Sequence, residues 1–272
     1  MTTVVNLEVP LGPLAHTEGY SYTEATYCVS KMILKAISNG NAPRTSYDEI
    51  LLDVAAVESI KNRVKPQLRA KKRCKTVQDR MEYFLFRLNS SFVISALCRP
   101  ALSRKQDPAH EIRQKELLAE KCKQNLTETL RMYLQMHSLG ITPTRSWAIT
   151  HNGISSALLL GILGETKTNP EVRDLQGRLI NVLSSIASND REFEQDPADA
   201  SEITLTEPHS RALTALRNIY DHGSLIGPQP APKESTTMQG NESILADGER
   251  YLANRSVASE NITLEQAEQE NS

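Results

Sequence analysis

The stretch RSWAITHNGISSALLLGILG, Arg145–Gly164, decides the fold, because it holds the only tryptophan and the most apolar run of this 272-residue chain. Its large side chains recur every three or four positions, which is the period of one helix face. A helix that is apolar nearly all round lies buried in a protein core. We therefore expect a central core helix whose stripe consists of Trp147, His151, Ile154, Leu158 and Ile162.

Small residues form a second pattern in the same stretch. Gly153, Ala157 and Gly161 lie four positions apart and form a ridge along one side of the helix. Such a ridge lets another helix approach closely, although each glycine weakens helix propensity by about 1 kcal/mol. A second interpretation makes the large-residue face the wall of a ligand cavity. The residues of that candidate cavity wall are Trp147, His151, Ile154 and Leu158.

The composition is that of a soluble globular protein, with 39% hydrophobic and 24% charged residues and a net charge of −2. That charge disfavours binding of a polyanion by the whole chain. The four cysteines are widely spaced and form no CxxC pair, so we expect neither a zinc site nor disulfides in this chain. The apolar run at 157–163 is too short to span a bilayer, and no secretory signal is recognisable, so no membrane partner is expected.

Apolar periodicity and stop signals predict an all-α fold of about seven helices and no strand. Ser46 with Glu49 forms a capping-box signature at the second helix. Pro66 and Pro100 are interpreted as the ends of the second and third helices, since proline lacks an N–H and restricts the preceding residue. The predicted helices cover 21–38, 46 to before 66, 76–99, 107 to before 140, the opening stretch, a segment from 170 and a segment after 208.

The remaining segments are expected to be irregular. Residues 1–19 carry several proline and glycine residues, and 189–206 is an acidic, polar loop. From 223 to 272, Pro, Gly, Ser, Gln, Asn and Glu dominate, and the scattered apolar residues bury too little surface to offset the entropy of ordering. The predicted organisation is an irregular segment at 1–19, a helical domain at 20–222 and a disordered polar tail at 223–272.

A basic run lies between Lys61 and Lys75. It is either a nuclear-import signal, an anion-binding patch or a solvated linker between helices. The residues of the candidate nuclear-import patch are Arg69, Lys71, Lys72, Arg73 and Lys75.

Catalytic signatures are missing from the sequence. It contains no glycine-rich phosphate loop and no GxSxG, and His110-Glu111 is not part of HExxH because position 114 is Gln. Ser155 and Ser156 lie inside the apolar helix, where serine hydroxyls usually bond to a backbone carbonyl. We expect no enzyme, no catalytic residue and no cofactor or metal site.

Three segments resemble, in order, the regulatory domain of fungal zinc-cluster (Zn2Cys6) transcription factors, the fungal-specific transcription factor domain. SALCRPAL, Ser95–Leu102, resembles a helix that ends in Leu-His-Arg-Pro, with Cys98 where His is usual. KCKQNLTETLRMYLQMHSL, Lys121–Leu139, is similar to the next helix, which carries a Cys near its start. RSWAITHNGISSALLLGILGE, Arg145–Glu165, is similar to the Trp-containing helix that follows.

The preceding segment, Ser46–Arg69, also fits this family, and the resemblance extends to Tyr220. It implies a partial, helical regulatory domain over 20–222 that acts in the nucleus on transcription. The family binds DNA through a six-cysteine zinc cluster that this chain lacks, so DNA would be a partner only through that missing domain. The implied partners are a second copy, a transcriptional co-regulator or a small-molecule effector.

Several alternatives remain open at this point. One alternative is that the chain is a fragment, a truncated gene model or a natural protein without a DNA-binding domain. It is alternatively a stand-alone helical module that binds proteins or small molecules and has lost its DNA reader. The family resemblance favours the regulatory domain.

Overall fold

A computed structural model describes residues 19–38, 46–103, 111–140, 146–192 and 205–223. Four predictions concern residues outside these ranges: the irregular segment before Gly19, the helix start at Asp107-Pro108, the loop over 193–204 and the tail after Gly223. The first four residues of the predicted loop, 189–192, belong to a helix, so its predicted start is wrong.

All regular elements within these ranges are helical, so the predicted all-α fold is confirmed. The seven predicted helices are present, and two helices of four residues each, Pro66–Arg69 and Glu165–Thr168, are added to them. A short 3-10 turn, Lys71–Arg73, follows the first of these. The helices are α1 Tyr22–Ser38, α2 Tyr47–Asn62, α3 Pro66–Arg69, α4 Val77–Ser103, α5 Ile112–Ser138, α6 Trp147–Ile162, α7 Glu165–Thr168, α8 Pro170–Glu192 and α9 Glu207–His222.

Polar side chains cap the predicted helix starts. The Ser46 hydroxyl accepts a hydrogen bond from the Asp48 N–H at 3.2 Å. Asn169 Oδ1 accepts from the N–H groups of Glu171 and Val172, at 3.1 and 3.3 Å. These contacts satisfy backbone donors that have no partner within the helix. The starts of α2 and α8 are therefore fixed by local chemistry that is visible in the sequence.

Two prolines do not end helices, and both predictions are wrong. Helix α2 already ends at Asn62, and Pro66 is the first residue of α3, where the missing N–H costs no helical bond. Helix α4 continues through Pro100 to Ser103. Proline inside a helix costs about 3 kcal/mol, but it lies in the last turn of α4. Ala101, on that turn, is fully buried, so packing of the last turn offsets the lost hydrogen bond.

The long helices α4 and α5 pack along each other and form the centre of the bundle. Helices α1 and α2 cover α4, α6 packs against α5, and α8 and α9 cover α6. No described helix has the length and apolar character needed to cross a bilayer. The largest fully buried side chains include Tyr47, Phe84, Phe86, Leu126, Leu130 and Tyr133.

Helix α6 packs between α5 and α9, but the face that it buries is not the predicted one. Its buried residues include Gly153, Ile154, Ala157 and Leu160. Of the predicted large-residue stripe, Ile154 is the one buried member, and Ile162 is 40% exposed. The small residues face inward because they permit a shorter distance between helix axes than large side chains would.

The small-residue ridge brings two neighbouring helices close to α6, as the sequence predicts. A Cβ atom built on Gly153 would lie 2.9 Å from Cδ2 of Tyr133 on α5. A Cβ atom built on Gly161 would lie 2.6 Å from Cγ2 of Ile219 on α9. Real Cβ atoms essentially never make contacts this short, so any larger residue at either position would force its neighbour to shift.

A backbone pairing fastens the chain before α1 to the link between α2 and α3. The Tyr20 N–H donates to the Arg63 carbonyl at 2.8 Å, and the Lys65 N–H donates to the Tyr20 carbonyl at 2.9 Å. Gly19 precedes this pairing with a φ of +89°. A Cβ atom built on it would lie 2.6 Å from the Arg63 carbonyl oxygen. Glycine is therefore needed for both the conformation and the approach.

Candidate functional site

The predicted cavity wall on α6 is part of a cluster of aromatic rings. The rings of Trp147 and His151 stack with centroids 4.8 Å apart. His209 of α9 adds a third ring, 5.5 Å from that of Trp147. Of the other two wall residues, Ile154 is buried and Leu158 is half-buried. The three rings pack together where α6 meets α9.

Hydroxyl groups orient both imidazole rings of this cluster. Ser155 Oγ lies 3.3 Å from Nε2 of His151. Thr206 Oγ1 lies 3.1 Å from Nδ1 of His209. Ser155 is only 7% exposed, so its hydroxyl is poorly placed to meet a substrate and is better suited to holding His151 in position. His209 was not predicted as a site residue, although its position three residues after Thr206 at the start of α9 was a usable signal.

The candidate nuclear-import patch lies on α3, the 3-10 turn and the residues that follow. Its five side chains are all exposed: Arg69, Lys71, Lys72, Arg73 and Lys75. Arg69 Nε donates to the Val64 carbonyl at 2.7 Å, and Lys71 Nζ lies 5.2 Å from the centroid of the Phe84 ring. The segment is therefore ordered by local contacts while its charges face solvent, as a partner-binding basic segment requires.

The buried thiols of Cys98 and Cys122 are unreactive. All four cysteines are free, and Cys98 and Cys122 are fully buried where α4 meets α5. Burial raises the pKa of Cys98 to about 12 and that of Cys122 to about 11. Cys122 Sγ donates to the Ser95 carbonyl at 3.6 Å. Both thiols therefore behave as small core side chains.

A row of charged side chains crosses the outer surface of α2, α4, α5 and α8. Lys121 Nζ bonds to Glu58 Oε1 at 2.5 Å, and Arg87 Nη2 bonds to Glu128 Oε1 at 2.6 Å. Arg131 then pairs with Glu128 and with Glu171. We call these six residues the charge ladder. Burial opposes ionisation of Glu128, but Arg87 and Arg131 lower its pKa below the usual value.

Lys61 lies beside the charge ladder at the end of α2. Burial and the neighbouring Arg87 lower its pKa to about 8, although Glu128 and Glu58 oppose the shift. Among the described residues, its ammonium group has no hydrogen-bond or ion-pair partner, because both nearby carboxylates bind other cations. Lys61 is the first residue of the predicted basic run, but it is half-buried, unlike the five exposed residues of the patch.

A cleft of about 240 Å³ opens between α1 and α4. Its walls combine apolar side chains with a few polar groups, and the α6 residues of the predicted cavity wall do not line it. The principal lining residues are Val29, Ser30 and Ile33 of α1 and Phe86, Asn89 and Val93 of α4. Elsewhere in the part of the chain that the structure describes, no three His, Cys, Asp or Glu side chains are grouped to hold a metal ion.

Comparison with known proteins gives no relative: no protein-family model, no curated protein and no solved structure matches the chain. The function is therefore inferred from the residues of this chain.

Proposed function

We propose that this chain is the regulatory, non-DNA-binding helical domain of a fungal zinc-cluster-type transcription factor and acts in the nucleus. The supporting observation is that the three resembling segments form one continuous core. Cys122 contacts the Ser95 carbonyl, which joins the first segment to the second. Tyr133 packs over Gly153, which joins the second to the third. A shared core is what segments of one domain require.

The surface offers features that such a domain would use. The exposed basic patch suits recognition by an import receptor. Tyr27 and Leu34 of α1 and Leu52 of α2 are large apolar side chains with 58%, 46% and 71% exposure. A protein partner, such as a transcriptional co-regulator or a second copy, would gain free energy by burying these side chains. DNA binding would come from a zinc-cluster domain outside this chain.

A reporter experiment tests the proposal. The full chain is fused to an unrelated DNA-binding domain and expressed in a fungal host with a reporter gene. We expect transcription to change several-fold, in either direction, relative to the DNA-binding domain alone. A Leu130→Asp variant, which places a charge in the core, should abolish the effect. Unchanged transcription with the intact fusion present in the nucleus would contradict the proposal.

A stand-alone small-molecule-binding module is the second candidate, and the cleft between α1 and α4 favours it. A ligand at about 100 times its dissociation constant adds about 2.7 kcal/mol to the free energy of unfolding. We expect a metabolite that binds there to raise the melting temperature of the native chain. The rim variant Ser30→Trp should lose this response, whereas the distant variant Arg178→Ala should keep it. A response that survives in Ser30→Trp would place the ligand elsewhere.

A further inference from the structure

The cleft between α1 and α4 lies where two helix faces meet through short side chains. Its lining positions are 26, 29, 30 and 33 on α1 and 86, 89, 90 and 93 on α4, so each helix contributes a single face. Each face has a serine at its third position, Ser30 on α1 and Ser90 on α4. Because a serine side chain is too short to fill the space between two helices, a gap of about 240 Å³ remains.

The wall of the cleft is largely apolar. Val29, Phe86 and Val93 are buried residues of this wall. None of the described residues that line it carries a charge. A charged ligand would lose its hydration there without gaining an ion-pair partner, which is costly. The cleft therefore favours a neutral ligand whose apolar part packs against these side chains.

Asn89 supplies the cleft with hydrogen-bond donors. Its Oδ1 accepts from Nδ2 of Asn152 on α6 at 3.5 Å, which orients the amide group. Its own Nδ2 forms no hydrogen bond in the described part of the chain. Both N–H donors of this nitrogen are therefore available to a ligand in the cleft, and they match an acceptor such as a carbonyl oxygen.

We propose that the cleft binds a small neutral molecule in which a carbonyl group is attached to an apolar body, and that the carbonyl oxygen accepts from Asn89 Nδ2. A cavity of about 150 Å³ in another protein holds benzene, so this cleft has room for one ring and a few further atoms. A ring in this position can pack against Phe86. This ligand class rests on the second candidate function, ligand binding in the cleft, and is independent of the role in transcription.

Probes of matched size test the ligand class. Acetophenone has a neutral carbonyl group, α-methylstyrene has CH2 in place of the carbonyl oxygen, and benzoate carries a negative charge. Saturation-transfer NMR with the full chain measures the binding of each probe. We expect acetophenone and α-methylstyrene to bind and benzoate to remain unbound. Benzoate that binds as tightly as acetophenone would overturn the proposal, as would the absence of acetophenone binding.

The variant Asn89→Leu removes the donors at nearly constant side-chain volume. It should weaken acetophenone binding about two- to tenfold relative to α-methylstyrene, which is the range expected for one neutral hydrogen bond. Arg178→Ala is the control and should leave the ratio of the two affinities unchanged. Thermal unfolding checks that both variants fold. An unchanged ratio in a folded Asn89→Leu would overturn the proposal.

The exposed rim residue Ser30 gives a second variant that does not alter the core. Ser30→Trp should abolish binding of acetophenone and α-methylstyrene together, and binding that persists would overturn the proposal. A metabolite that raises the melting temperature of the wild type but not of Ser30→Trp, with acetophenone silent, would overturn the carbonyl ligand class and keep the cleft as a binding site.

Discussion

The ring of Tyr133 on α5 lies directly over the backbone of Gly153 on α6, so close that a methyl group on Gly153 would be 2.9 Å from Cδ2 of the ring. Tyr133 is fully buried and cannot move aside into solvent. The contact sets the distance between two central helices, and it depends on one residue having no side chain.

Replacing Gly153 with Ala should therefore destabilise the protein. Alanine adds about 1 kcal/mol of helix propensity, but overpacking in a closed core costs about 1–3 kcal/mol. We expect a net decrease in the free energy of unfolding, measured by urea denaturation. Gly177→Ala is the matched control, because its new Cβ would meet only the hydroxyl end of the half-buried Tyr220. Equal effects of the two variants would contradict the packing explanation.

The contact between Gly161 and Ile219 should be visible as energetic coupling. Gly161→Ala forces its Cβ against Cγ2 of Ile219, and Ile219→Ala removes that methyl group at a cost of about 2–5 kcal/mol. The double variant no longer has the clash, so its destabilisation should be about 0.5–3 kcal/mol less than the sum of the single effects. A double-mutant cycle by chemical denaturation measures this difference. Strict additivity would show that the two residues do not oppose each other.

Lys61→Met should stabilise the protein near neutral pH. The pKa of Lys61 is about 8 in the folded chain and about 10.5 without the fold. The folded state therefore binds the ammonium proton of Lys61 less tightly than the unfolded state does. Below pH 8 this difference lowers the free energy of unfolding by its full amount. As the pH rises from 8 to 10.5 this loss disappears, so the free energy of unfolding of the wild type increases over this pH range. We expect the variant to be more stable by about 1–3 kcal/mol at neutral pH and to lack this gain.

Urea denaturation of wild type and Lys61→Met across that pH window measures the difference directly, because contributions from other groups cancel in the comparison. Lys121→Met is the control, since it removes an ammonium that has a carboxylate partner. That half-exposed ion pair contributes about 0–1 kcal/mol, so its loss should be neutral or slightly destabilising. A destabilised Lys61→Met at neutral pH would contradict the assignment of an uncompensated cation.

The basic patch should direct nuclear accumulation. Changing Lys71, Lys72 and Arg73 together to Ala removes three exposed charges and leaves the core unchanged. In a fluorescent fusion of the full chain, we expect the ratio of nuclear to cytoplasmic signal to fall several-fold.

The control for this experiment removes the same number of exposed charges elsewhere. The control replaces with Ala three arginines of α8 and α9, namely Arg178, Arg211 and Arg217. Nuclear signal should be retained in this variant, since it keeps the basic patch. An unchanged signal in the patch variant would rule the patch out as an import signal.

Features that depend on neighbouring residues were predictable from the sequence. The cap at Ser46 acts within one helical turn, and the structure confirms that its hydroxyl accepts from the Asp48 N–H. The ridge of Gly153 and Gly161 was also visible, because close approach requires small residues.

Features that depend on distant segments were not predictable. The end of α4 was misplaced because burial of its last turn, a tertiary effect, outweighs the local effect of Pro100. The charge ladder was missed because Arg87 and Glu128 are 41 residues apart, and no spacing along the chain brings them together. Helix α6 has one face of large side chains and one face of small residues. Which of them faces the core likewise depends on the helices that pack against α6.

The pairing of Tyr20 with the link after α2 has a consequence for partial unfolding. The Tyr20 N–H bonds to the Arg63 carbonyl, and the Tyr20 carbonyl accepts from the Lys65 N–H. These two hydrogen bonds attach the start of α1 to the segment after α2. Detachment of α1 together with Tyr20 would break both bonds. The amide hydrogens of Tyr20 and Lys65 should therefore exchange with solvent at a common rate, set by local separation of this pairing and not by global unfolding.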